Sequence, residues 1–149
     1  MRHSYWLIGN RVRVIAGSAD TEGRYDLVEG WLPAGSQVPP HLHRRYSEQI
    51  YVLDGELTVW AGGRKAVLRS GDDFLIPAGT AHAVAATGDG PARALVVASP
   101  SGFARLITEA GTPDEGGGVP PAAPDMDLFL RVCAELGDEV LGPPGALPD

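Results

Sequence analysis

GSQVPPHLHRRYSEQIYVLDG, residues 35–55, decides how this chain is read. The stretch ends on Asp54-Gly55, which sits between two runs rich in β-formers, QIYVL (49–53) and ELTVW (56–60). Asp-Gly between alternating apolar runs predicts a two-residue type I′ hairpin. Upstream, His41 and His43 stand two apart, and on a strand residues i and i+2 face the same side. Both imidazoles then point into one cavity. Glu48 follows His43 by five and cannot share that face on an unbroken strand. Residues 44–47 must turn or bulge. Glu48 then arrives on the next strand, with Ile50 and Val52 on the same inner face.

Outward from this stretch the chain reads as more short strands. They are expected at 4–9, 11–16, 25–32, 65–68, 74–77, 81–86 and 92–98, with breaks at Gly9-Asn10 and Gly62-Gly63. Short strands at even spacing, with no crossover helices between them, predict an all-β sandwich or barrel. The character changes after Pro100. A short helix is expected over 102–110, capped by Ser99 or Ser101 and stopped by Gly111. TPDEGGGVPPAAP should be irregular. Asp125 then caps a second helix in which Met126, Phe129, Cys133 and Leu136 recur at helical spacing, and Gly137 stops it. GPPGALPD should again be irregular. The 149 residues suit a single domain over 1–149, with a core at 35–86 and a helical extension at 101–149.

Composition narrows the partners. A formal net charge of −7 repels phosphate backbones and anionic lipid, which argues against nucleic acid and membrane surfaces. No apolar stretch approaches the ~20 residues that span a bilayer. The N-terminal residues lack a signal-peptide h-region. Cys133 is the single cysteine, so no intrachain disulfide can form. These features together predict a cytoplasmic protein.

A second segment, GDDFLIPAGTAHAVAA (71–86), carries the third histidine of interest. Pro77-Ala78-Gly79 turns the chain and His82 opens a new strand. His41, His43, Glu48 and His82 are therefore the candidate metal ligands. Three imidazoles and a carboxylate form a borderline set that suits a divalent Fe, Mn, Ni, Co, Cu or Zn ion over Ca or Mg, without choosing among them. Four protein ligands on an octahedral ion leave about two positions for substrate, water or oxygen. His3 reads as a surface residue. Trp31, Trp60, Tyr25 and Tyr51 read as sheet packing, and Arg44 and Arg45 as solvated turn residues.

Gly35, His41, His43, Glu48 and Gly55, then Gly71, Pro77, Gly79 and His82, resemble the two motifs of the cupins. Ala86 departs from the pattern, standing where the family has Asn. The resemblance implies an all-β fold, a six- to eight-stranded antiparallel barrel or jelly roll with the metal inside, and a homodimer formed through residues 5–8. The core and the stretch after it are similar to the quercetin-2,3-dioxygenase-like group. That implies a metal-dependent dioxygenase acting on a phenolic or enolic molecule that chelates the metal, with Glu48 as catalytic general base. Small cupins also include polyketide cyclases. The alternative is thus a non-oxidative cyclase or isomerase using the metal as Lewis acid. A third reading is a metal-dependent binding module. On a regular strand His82, Val84 and Ala86 share the inner face, so Ala86 either alters the ligands' surroundings or makes room for an apolar substrate. The amphipathic second helix is expected to cap the barrel mouth as a lid.

Overall fold

The computed structural model describes residues 3–116, 118–121 and 123–148. The expected irregular linker includes Gly117 and Ala122, and the tail includes Asp149; these lie outside the described residues, as do Met1 and Arg2. The strands are β1 (Ser4–Leu7), β2 (Asn10–Ala16), β3 (Asp26–Leu32), β4 (Gln37–His43), β5 (Ser47–Asp54), β6 (Glu56–Ala61), β7 (Arg64–Arg69), β8 (Asp73–Ile76), β9 (His82–Ala86), β10 (Ala92–Ser99), β11 (Thr112–Pro113) and β12 (Asp138–Val140). The helices are α1 (Ser18–Thr21), α2 (Phe103–Ala110) and α3 (Met126–Leu136). Two antiparallel sheets face each other. One runs β11-β1-β2-β3-β10-β5-β8 and the other β12-β4-β9-β6-β7. This is the expected all-β jelly-roll architecture with two C-terminal helices.

One expectation fails instructively. Asp54-Gly55 is no hairpin: β5 pairs with β10 and β8, while β6 pairs with β7 and β9 in the opposite sheet. The turn is a corner between sheets. It lets β5 place Ile50 and Val52, and β6 place Leu57 and Val59, on opposite walls of one buried cluster. Gly55 is required there. Its φ is +78°, and a Cβ would lie 2.4 Å from the Pro91 carbonyl oxygen. The real two-residue hairpin is Gly62-Gly63, with φ of +57° and +74° and Ala61 opposite Arg64.

A second buried cluster lies between the larger sheet and the helices, formed by Leu7, Val12, Val28, Leu106, Ile107, Phe129, Val132, Cys133 and Leu136. The α3 face is thus Phe129, Val132, Cys133 and Leu136, whereas Met126 is exposed. Asp125 caps α3, its carboxylate accepting from the Leu128 amide at 3.0 Å. The start of α2 is handled differently. Neither Ser99 nor Ser101 caps it; the N-cap is Gly102, which has no side chain. The fully buried Asp26 reaches over from β3 and accepts from the Gly102 and Ala104 amides at 2.8 and 2.9 Å and from the Ser101 hydroxyl. A distant carboxylate thereby supplies what a local cap would.

β1 is not a free edge along Tyr5–Trp6, because β11 pairs there on the side away from β2. Among the described residues, no helix is long and apolar enough to cross a membrane.

Candidate metal centre

The four candidate ligands converge from both sheets. His41 and His43 sit on β4, and His82 on the neighbouring β9, directly opposite His41 in register. Glu48 comes from β5 across the interior, after the bend at 44–45 that its spacing required. Their nearest nitrogen and oxygen atoms all lie within 4.8 Å of one another. His43, Glu48 and His82 are buried, and His41 is half-buried.

The local sequence sets each ring. Pro39-Pro40 cannot donate to the β-ladder, and the β4–β9 register shifts between Val38 and His41. The Pro39 carbonyl is then 2.7 Å from His41 Nδ1. After the Pro77–Gly79 turn the Thr80 carbonyl is 2.9 Å from His82 Nδ1. His43 Nδ1 is 2.8 Å from Asp138 Oδ1 on β12. A carbonyl can only accept, so Nδ1 carries the proton in His41 and His82. The Nε2 atoms face inward.

Glu48 Oε2 lies 3.1 Å from His82 Nε2 and 3.2 Å from His43 Nε2. His43 Nε2 is fully buried and, among the described residues, has no hydrogen-bond partner. A neutral imidazole whose Nδ1–H is already used turns a lone pair toward that carboxylate, which repels it. Only a proton or a cation between them resolves the clash. This donor set fits a transition-metal ion, with the Nδ1 partners fixing ring orientation from outside.

The charge environment agrees. Burial, then the neighbouring His82 and His43, push His41 down to about 3, so it is a neutral donor. Burial opposes charge on His43, but Glu48 and Asp138 outweigh it and raise His43 to about 9. Burial would raise Glu48; His43 and His82 instead hold its carboxyl well below the usual range. Without a metal the site is a buried carboxylate facing an imidazolium, which is a charge pattern that a dication replaces readily.

Sequence reasoning missed two contributors. Asp138 belongs to neither motif and lies 95 residues from its partner. Tyr46, read only as part of a turn, is almost fully buried. Its ring stacks on His43 with centroids 4.4 Å apart, and its hydroxyl is 3.3 Å from Asp138 Oδ2. Arg44 and Arg45 are exposed in the bend, as expected, and also make contacts there. Arg44 pairs with Glu139, and Arg45 donates to the Glu135 carbonyl at 2.7 Å, tying the turn to the C-terminal segment.

The site opens into a cavity of about 150 Å³. Much of its lining is aliphatic or aromatic, including Leu7, Val12, Phe103, Leu106, Phe129 and Val140. Ala86 is not among the lining residues and packs in the core with Leu57 and Val84. Trp31, Trp60, Tyr25 and Tyr51 do not line it either. α3 forms one wall through Phe129 and Cys133.

The cupin domain family matches residues 29–98, a span that contains all four candidate ligands. Residues 29–98 are a cupin domain. Quercetin 2,3-dioxygenase of Bacillus subtilis (strain 168) is 29% identical over 133 residues, which cover 88% of this chain and 39% of that protein. The chain thus spans about two fifths of the relative's length. Among solved structures, KdgF from Halomonas sp. is 25% identical with a TM-score of 0.58, the match covering 66% of this chain and 86% of that one. The polyketide cyclase RemF from Streptomyces resistomycificus is 28% identical with a TM-score of 0.54, covering 62% of this chain and 66% of that one.

Proposed function

We propose that this cupin binds one divalent transition-metal ion through His41, His43, Glu48 and His82, and is a dioxygenase of a small phenolic or enolic molecule. The observation that carries this is the inward lone-pair geometry of the site, in a cavity whose remaining lining is mostly apolar. The family and the dioxygenase relative support it. The ion, when bound, supplies Lewis acidity and open positions for a substrate oxygen and, if redox-active, electron transfer.

The chain's own residues do the rest. The three imidazoles, each oriented through Nδ1, hold the ion. The apolar walls seat the body of the substrate, exclude water and leave the ion-facing end as the polar anchor. Glu48, kept as a carboxylate, is the group placed to take the proton from a substrate hydroxyl entering beside it. Substrates should therefore be compact and largely apolar, with adjacent hydroxyl and carbonyl oxygens at one end.

The similarity to a polyketide cyclase favours a second reading, in which the same residues serve a non-oxidative cyclase or isomerase. One experiment separates them: elemental analysis of the purified protein, then an oxygen electrode with a panel of flavonols and polyketide mimics. The dioxygenase reading expects oxygen uptake that disappears in Glu48→Gln. Full turnover of a true substrate under nitrogen sinks it and leaves the cyclase.

A further inference from the structure

We propose that Asp138 is a positioning residue of the metal centre, fixing His43 from outside the cupin domain span; this rests on reading the four side chains as a metal site. β12 pairs with β4 and lays Asp138 opposite His43 and Val140 opposite His41. Asp138 is buried, and both of its oxygens are engaged at the site: Oδ1 with His43 Nδ1 at 2.8 Å, and Oδ2 with the Tyr46 hydroxyl at 3.3 Å.

The contrast among the three histidines makes the case. His41 and His82 each use a backbone carbonyl two residues earlier in their own strand or turn. His43 instead uses a carboxylate supplied by a segment forty residues past the end of the matched domain. A carboxylate accepts more strongly than a carbonyl, and a ring bonded to one is a better donor to a metal. Charge adds a second reason. A dication beside Glu48 alone leaves a net positive charge in a buried place, and Asp138 brings the sum to zero.

Tyr46 completes the clamp, covering the His43 ring face while Asp138 holds its edge. Tyr46 is itself pinned. A Cβ on Gly102, at the start of α2, would lie 2.8 Å from its ring. The C-terminal elements are thus built into the ligand geometry, besides walling the cavity.

The test uses the full chain with Asp138→Asn, which keeps size and an acceptor oxygen but loses the charge, and with Asp138→Ala. Zinc affinity is measured by chelator competition, and folding by circular dichroism. Asp138→Ala should weaken zinc roughly 10–100-fold, with Asp138→Asn in between. In zinc-loaded protein with 15N-labelled histidine, the wild type should show three slowly exchanging ligand Nδ1–H protons. The His43 proton should exchange fast in Asp138→Ala and shift in Asp138→Asn. Folded Asp138→Ala with zinc affinity within twofold of wild type and all three protons protected overturns the proposal. If that variant does not fold, unchanged affinity and an unshifted His43 proton in Asp138→Asn overturn it equally. A wild type that fails to take up zinc or any other transition metal refutes the metal-site reading itself, and this inference with it.

Discussion

Replacing Phe129 measures how far the C-terminal helix is part of the working molecule. Its ring is buried in the cluster between the larger sheet and α2/α3, and it also walls the cavity. Truncating a buried Phe to Ala costs about 3–5 kcal/mol, the higher end holding where surroundings cannot collapse into the gap. Here the ring already borders open space on one side. Truncation therefore forfeits only its packing against helix and sheet neighbours, and ~3–4 kcal/mol is expected. For a chain of this size that lowers Tm by about 6–16 °C. Phe129→Leu keeps most of the packing and should cost about 1–1.5 kcal/mol. Urea unfolding read by tryptophan fluorescence, with the m-value compared between variants, measures both steps. Metal affinity should stay within about twofold, since none of the ring contacts described for the imidazoles involves Phe129. A Phe129→Ala variant losing under 1 kcal/mol would refute the reasoning, and α3 would then be an appendage rather than a wall.

His82→Ala should lose most bound metal by elemental analysis, because it removes one of three imidazoles from a closed set; retained stoichiometric metal would sink the ligand assignment. Asp26→Ala removes the acceptor for two α2 amides and the Ser101 hydroxyl, and should cost ~3 kcal/mol by urea unfolding; a loss under 1 kcal/mol would show that water replaces it. Burial, with Asp138 nearby, pushes the Cys133 thiol up to about 12. Its neutral form is favoured, so iodoacetamide should leave native protein unlabelled at pH 8 and label it fully in denaturant; rapid native labelling at pH 8 would contradict the buried placement.

The clustering of the four candidate ligands was legible because its constraint is local. His41 and His43 share a strand face by simple alternation, and the odd step of five from His43 to Glu48 forces the bend that is seen at 44–45. Asp54-Gly55 misled because the dipeptide reports a sharp reversal and nothing about which strand lies beyond it. The long-range partners β10 and β9 decided that. The α2 cap was missed for the same reason: Ser101 has the right chemistry for a cap, but its hydroxyl is spent on Asp26, which reaches the helix from β3. Met126 fell on the expected helical stripe but is the first residue of α3 and is exposed. Val132, which that stripe left out, is on the buried face. Asp138 carries no signature in its own neighbourhood, since its role exists only once β12 is laid against β4.

That pairing also sets a clock. The ribosome adds ~5–20 residues per second, and Asp138 follows His43 by 95 residues. The imidazole therefore exists for ~5–20 s before the carboxylate that holds it has been synthesised. Once His82 has been made, 56 residues still separate the chain from Asp138, so for ~3–11 s all four candidate ligands are present while His43 lacks its carboxylate partner. On the proposed metal-site reading, an ion captured then would meet a looser site than the finished one. A cell that matures this protein with a single kind of metal must do so after β12 has docked, or exchange what was caught before.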